Sequence, residues 1–184
     1  MNNAVTELRS LAAMADDAED TAAAVDLWRK IVSMFLHEPG VEQEPGIAYL
    51  LGYAYYQLVD VDSGAAASSK RLLLLALEQD LNDGYARLYL GHLAFDTHQY
   101  SAALEWFGSI PESHFSEHGQ AWRDLKVQEL KICCLAQLGK TGSLIQEFET
   151  YLLIATKCDE TDIITAFELP NMLAALVQRG GGIA

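Results

Sequence analysis

The feature that most limits what this chain can become is the spacing of its apolar residues, which recur at three- and four-residue intervals almost throughout. That period lays side chains along one stripe of an α-helix, whereas a half-buried strand needs strict alternation, and alternating β-branched residues are nearly absent. Proline, which would interrupt helices, occurs four times in 184 residues. The spacing predicts helices over about 4–16, 20–37, 45–59, 64–80, 83–97, 100–109, 116–138, 142–156 and 160–179. Turn-forming clusters separate them: Glu38-Pro39-Gly40, Glu44-Pro45-Gly46, Asp62-Ser63-Gly64, Asn82-Asp83-Gly84, Ile110-Pro111 and Gly139-Lys140-Thr141-Gly142. Pro170 falls inside the last apolar pattern and is expected to kink or split that helix. The glycine-rich residues 180–184 are expected to form a frayed tail.

Composition narrows the classes of function. A 51% hydrophobic and 21% charged sequence excludes wholesale disorder. Twelve Lys and Arg against 26 Asp and Glu leave a net charge of −14. Such a surface repels phosphate backbones and anionic headgroups, so neither nucleic acid nor a membrane is an expected partner, while cationic proteins are drawn in. Met1–Ser10 has no basic stretch followed by an apolar one, so no signal peptide is expected. No apolar run is longer than Leu72–Leu77, which is too short to span a bilayer. Three cysteines, with Cys133 and Cys134 adjacent, make no disulfide framework and are expected to fill core, which suits a reducing cytoplasm.

Helices alternating with short turns raise the question of internal repeats. In Gly84–Pro111, Leu90-Gly91 is followed by Ala94 in one helix, and Tyr100, Ala103 and Phe107 follow in the next. Small residues at Gly91 and Ala103 let two antiparallel helices approach, and Tyr100 and Phe107 fill the space around the crossing. The preceding stretch carries Ala48, Leu51, Gly52 and Tyr55, then Ala76-Leu77-Glu78 and Asn82-Asp83. Weaker copies lie upstream (Leu8, Leu11, Ala12, Ala15, then Ala24, Trp28, Ile31) and downstream (Leu135, Leu138, Gly139, then Leu144, Phe148, Tyr151). This pattern resembles the tetratricopeptide repeat over about residues 5–155. Gly52 and Gly91 lie five residues further apart than that repeat's period of about 34. An insertion around Asp60–Gly64 accounts for the excess and also looks like the Sel1-type relative of the repeat. The resemblance implies an all-α, right-handed α-solenoid of antiparallel helix pairs over 1–179. Its pairs fall near 5–37, 45–80, 83–110 and 116–156, with a capping helix at 160–179 and a tail at 180–184.

In tetratricopeptide domains the first helix of each pair lines a concave groove that contacts the ligand. Carried onto this chain, Tyr49, Tyr53 and Tyr56 form one aromatic stripe at i, i+4 and i+7. Tyr85, Leu88, His92, Phe95 and Asp96 hold the corresponding places in the next unit, and Arg9, Asp16 and Asp17 in the first. Tyrosine offers a large rigid surface with a hydroxyl handle, which suits interaction faces. Truncating Tyr53 and Tyr56 to alanine is expected to weaken capture and leave the melting temperature nearly unchanged. Some chaperone adaptors of the family grip a C-terminal carboxylate with Lys, Arg and Asn. Here those positions carry Tyr, Leu, His and Asp, which disfavours an acidic-tailed ligand.

His114-Phe115-Ser116-Glu117-His118 spells H-x-x-E-H, an inverted zinc-protease pattern whose two histidines and glutamate could hold zinc and activate water on a helix with a third ligand. Pro111 and Gly119 place it in a connector, and nothing downstream stands out as the third ligand. No Ser-His-Asp arrangement, phosphate-cradling loop or nucleotide fingerprint is present, so no catalytic residue, metal or cofactor is expected. The expected function is a non-catalytic scaffold whose acidic groove captures a basic or apolar partner protein or peptide. Two versions fit: an immunity-type inhibitor of a basic toxin, or a small chaperone for a secreted substrate. A metal-dependent hydrolase built on His114, Glu117 and His118 is a separate class, and a subunit that self-associates as a homodimer is another.

Overall fold

The computed structural model describes residues 3–38, 40–156 and 158. The described chain is all-helical. The helices are α1 Asn3–Asp16, α2 Thr21–His37, α3 Ile47–Tyr56, α4 Ala65–Gln79, α5 Gly84–Asp96, α6 Tyr100–Gly108, α7 Ala121–Gln137 and α8 Leu144–Ala155. The expected helix at 160–179, Pro170 and the tail lie outside the described residues. Among the described residues, no helix is long and apolar enough to cross a membrane. The chain divides into two compact units, one ending at Leu93 and the other starting at Ala94.

Local chemistry sets the helix boundaries. Asp20 caps α2 by accepting the Ala22 amide at 3.1 Å, and Asp83 accepts the Ala86 amide at 2.9 Å in the first turn of α5. Gly40 and Gly46 end the two Glu-Pro-Gly turns at φ 88° and 77°, the left-handed region that glycine enters without strain. His98, at φ 59°, terminates the turn after α5.

In the first unit successive helices pack on one another, α1 on α2, α2 on α3 and α3 on α4. Their apolar stripes meet in one core that includes Leu8, Trp28, Ile31, Ile47, Leu51 and Leu72. Helices α3 and α4 approach closely. Ser69 Oγ donates to the Gly52 carbonyl at 2.7 Å, and a Cβ added at Gly52 would lie 2.8 Å from Leu73 Cγ. The small residues expected at helix crossings, Gly52, Gly91 and Ala103, are all buried.

In the second unit α7 carries most of the core, burying Leu125, Leu130, Ile132, Cys133, Cys134 and Leu135. Helix α8 packs onto Leu125 and Ile132 through Tyr151 and Phe148. Elsewhere on α8 three large apolar side chains are exposed: Ile145 72%, Leu152 51% and Leu153 61%. Polar groups between α7 and α8 satisfy each other. Lys131 Nζ lies 2.7 Å from Glu147 Oε2, and buried Gln128 donates from Nε2 to the Glu147 carbonyl at 2.8 Å. Partial burial works against the Glu147 charge, but Lys131 and Gln128 outweigh it and hold the carboxyl below its ordinary range.

Candidate functional site

Tyr49, Tyr53 and Tyr56 lie on one side of helix α3 because residues four and three apart fall on one stripe. Helix α5 presents Tyr85, Tyr89 and His92 at the same intervals. The two rows meet ring for ring. Tyr49 lies 5.8 Å from Tyr85, Tyr53 4.7 Å from Tyr89, and Tyr56 5.9 Å from His92, centroid to centroid. The sequence separation is the same in all three pairs, and their order shows that α3 and α5 run in the same direction. Contacts within and between the rows close the gaps, with Tyr49 and Tyr53 within 5° of parallel and Tyr56 5.1 Å from Tyr89. Trp28, from α2, abuts Tyr53 edge-on at 5.2 Å. Such offset and edge contacts add to the burial of each ring.

Tyr49, Tyr53, Tyr56, Tyr85 and His92 are half-buried and Tyr89 is buried, so the rows form a face that is neither core nor free surface. The Tyr53 hydroxyl donates to Asp16 Oδ1 at 2.8 Å, tying α3 to the C-terminal end of α1. Burial pushes the Tyr53 pKa far above the ordinary 10.0, and the negative charges that Tyr89 and Asp16 would set beside a phenolate push the same way. Asp16 itself is exposed and opens an acidic turn that continues through Asp17, Glu19 and Asp20.

The structure thus brings together Tyr49, Tyr53, Tyr56, Tyr85, His92 and Asp16. Leu88 is a correction: at 3% exposure it is an interior residue, and the neighbouring Tyr89 takes the place in the row that Leu88 was expected to fill. Arg9 extends from α1 and donates from Nη2 to the Pro45 carbonyl at 3.1 Å, bracing the turn before α3. Phe95 and Asp96 belong to the second unit. There Phe95 packs edge-on against Tyr100 at 5.6 Å, and Asp96 is exposed at the end of α5. Tyr53 is also a packing residue through Asp16 and Trp28. Its truncation is therefore expected to cost stability, which revises the expectation drawn from sequence.

The H-x-x-E-H segment folds as a connector whose middle is built into the protein. Phe115 is fully buried, and Ser116–His118 form one 3-10 turn. Asp124 accepts from the amides of Phe115 and Ser116, at 3.3 and 2.8 Å, and from the Ser116 hydroxyl. His118 Nδ1 lies 2.6 Å from the His114 carbonyl oxygen, which occupies that nitrogen in a local contact. Among the described residues, no group of three or more His, Cys, Asp or Glu side chains is placed to hold a metal ion.

A cleft of about 340 Å³ in the second unit, lined by residues including Phe107, Ile110, Asp124, Val127, Lys131 and Ile154, was not foreseen in the sequence. Its size suits a small ligand, but two of the charged groups on its wall are engaged with the protein: Asp124 with the connector amides and Lys131 with Glu147. The aromatic face is the stronger candidate. Compared with known proteins, the chain matches no family model, no curated protein and no solved structure.

Proposed function

We propose that this chain is a tetratricopeptide-like, non-catalytic binding module that captures a basic partner protein on the Tyr49–Tyr53–Tyr56 and Tyr85–Tyr89–His92 face. The observation that carries this reading is the pairing of two rows of rings, all but Tyr89 half-buried, beside an exposed carboxylate, Asp16. Rigid aromatic surface supplies contact area at small entropic cost, and acidic surroundings speed encounter with a cationic partner. Residues 1–93 carry six Lys and Arg against 14 Asp and Glu, so the unit bearing the face has the sign that a basic partner requires. Such a module fits a cytoplasmic immunity-type inhibitor of a basic toxin. The exposed apolar residues of α8, Ile145, Leu152 and Leu153, favour a second reading as a chaperone for an apolar secreted substrate.

The test is recovery of a stoichiometric partner from the native host, followed by titration of the purified pair. Tyr49→Ala with Tyr56→Ala is expected to weaken binding by about 10- to 100-fold, since two aromatic contacts at an interface centre contribute on the order of 1–3 kcal/mol. Far-UV circular dichroism should show the helices retained. A basic partner should be released by salt and an apolar one should not. Unaltered affinity in the double variant would refute the assignment of this face.

A further inference from the structure

We propose that the group recognised on this face is an arginine guanidinium, seated on the tyrosine rings next to Asp16. The inference rests on the basic-partner reading and specifies its chemistry. An exposed carboxylate sits at the edge of an aromatic row, and the two are locked together because Tyr53 donates to Asp16 Oδ1 at 2.8 Å. A carboxylate has about four lone-pair positions, so one tyrosine hydroxyl leaves most of its accepting capacity in place. A ligand binding at Asp16 meets a negative charge one hydrogen bond from the Tyr53 ring, which continues into the rings of Tyr49 and Tyr89. Guanidinium is the biological cation that uses both, since its planar fork can pair with a carboxylate while its flat face lies on an aromatic ring. An ammonium is a compact, strongly hydrated point charge and cannot serve both contacts equally well.

The surroundings favour a cation from outside the unit. Arg9, the first-unit guanidinium nearest in sequence to Asp16, donates to the Pro45 carbonyl, and Arg29 pairs with Asp26 on α2 at 3.4 Å. Asp17 and Glu19 continue the acidic turn beyond Asp16 and are exposed, so a basic segment entering from the α1–α2 turn runs along negative charge before it reaches the rings.

The experiment uses the full chain and three labelled synthetic peptides of one sequence, in which every charged position is arginine, lysine or the neutral isostere citrulline. Binding is followed by fluorescence anisotropy at low and physiological salt. The arginine peptide is expected to bind about ten-fold tighter than the lysine peptide, and the citrulline peptide weakest of all. Asp16→Asn retains an acceptor for the Tyr53 hydroxyl but removes the charge. It should erase most of the arginine preference and change lysine binding about two-fold or less. Equal affinity for arginine and lysine, or a preference that survives Asp16→Asn, overturns the guanidinium assignment and leaves capture of a basic partner standing. Failure of both cationic peptides to bind overturns the two together.

Discussion

Gly52 is where the tightness of the fold is easiest to measure. A methyl group there would fall 2.8 Å from Leu73 Cγ and 3.1 Å from the Leu73 backbone nitrogen, and Leu73 is fully buried. Gly52→Ala is therefore expected to lower stability by about 1–3 kcal/mol in urea unfolding, as overpacking does. Gly108→Ala, with open space around the new Cβ, should be neutral or gain up to about 1 kcal/mol from helix propensity. That role of Gly52 was legible in the sequence, because a glycine inside an apolar helix pattern marks a close approach. The partner of Tyr53 was not legible, because Asp16 lies 37 residues away and only the folded chain brings them together. Tyr53→Phe removes one charge-assisted bond and should cost about 1.5–3 kcal/mol at neutral pH. The raised pKa of Tyr53 fixes the sign of a pH effect. Below the ordinary 10.0 both states keep the proton; above it the unfolded chain releases it first, so stability falls as pH climbs past about 10. Tyr55 and Tyr151, raised mainly by burial, add to the same loss. Tyr53→Phe should make the alkaline decline shallower. Burial also lifts the Cys134 thiol to about 11, so thiol reagents at neutral pH should label half-buried Cys158 well before Cys134.

At the scale of the element, the eight expected helices that fall on the described residues coincide with observed ones, because long three- and four-residue periodicity is the strongest local signal a sequence carries. The exception in extent is the start of α7, expected at 116 and found at Ala121. There Asp124 draws the amides of Phe115 and Ser116 into a connector, and Gly119 adopts a left-handed φ of 73°. Removing that carboxylate by Asp124→Ala should cost about 1–3 kcal/mol, since it strands two amide donors. Hydrogen exchange should quicken at Phe115 and Ser116 while the middle of α7 stays protected. The misplacement of Leu88 has an equally physical origin. Matching Gly52 to Gly91 slides α5 three residues relative to the ring pairs actually formed. Three residues is close to one helical turn, so the expected face survived while Leu88 and Tyr89 exchanged roles. No local signal could have fixed that slide, because the connection around Asp60–Gly64 sets it.

For the molecule as a whole, charge is the property the sequence revealed most fully. Its net charge of −14 is spread over the chain, and some of its ion pairs, such as Arg29–Asp26, are exposed and weak. Self-repulsion should therefore make stability rise from low to physiological salt, by about 1 kcal/mol or less in urea unfolding. The matched rings of α3 and α5 carry a further consequence for how this chain can change in length. One residue inserted between Tyr49 and Tyr53 rotates everything before it by about 100° relative to everything after it, and the row loses its line. The same residue added among Asp60–Gly64 is absorbed by an exposed turn. Variants lengthened at the turn should keep their tyrosine circular dichroism in the near ultraviolet, and those lengthened inside α3 should lose it. Growth of such a chain is thus free at its bends and forbidden along its rungs.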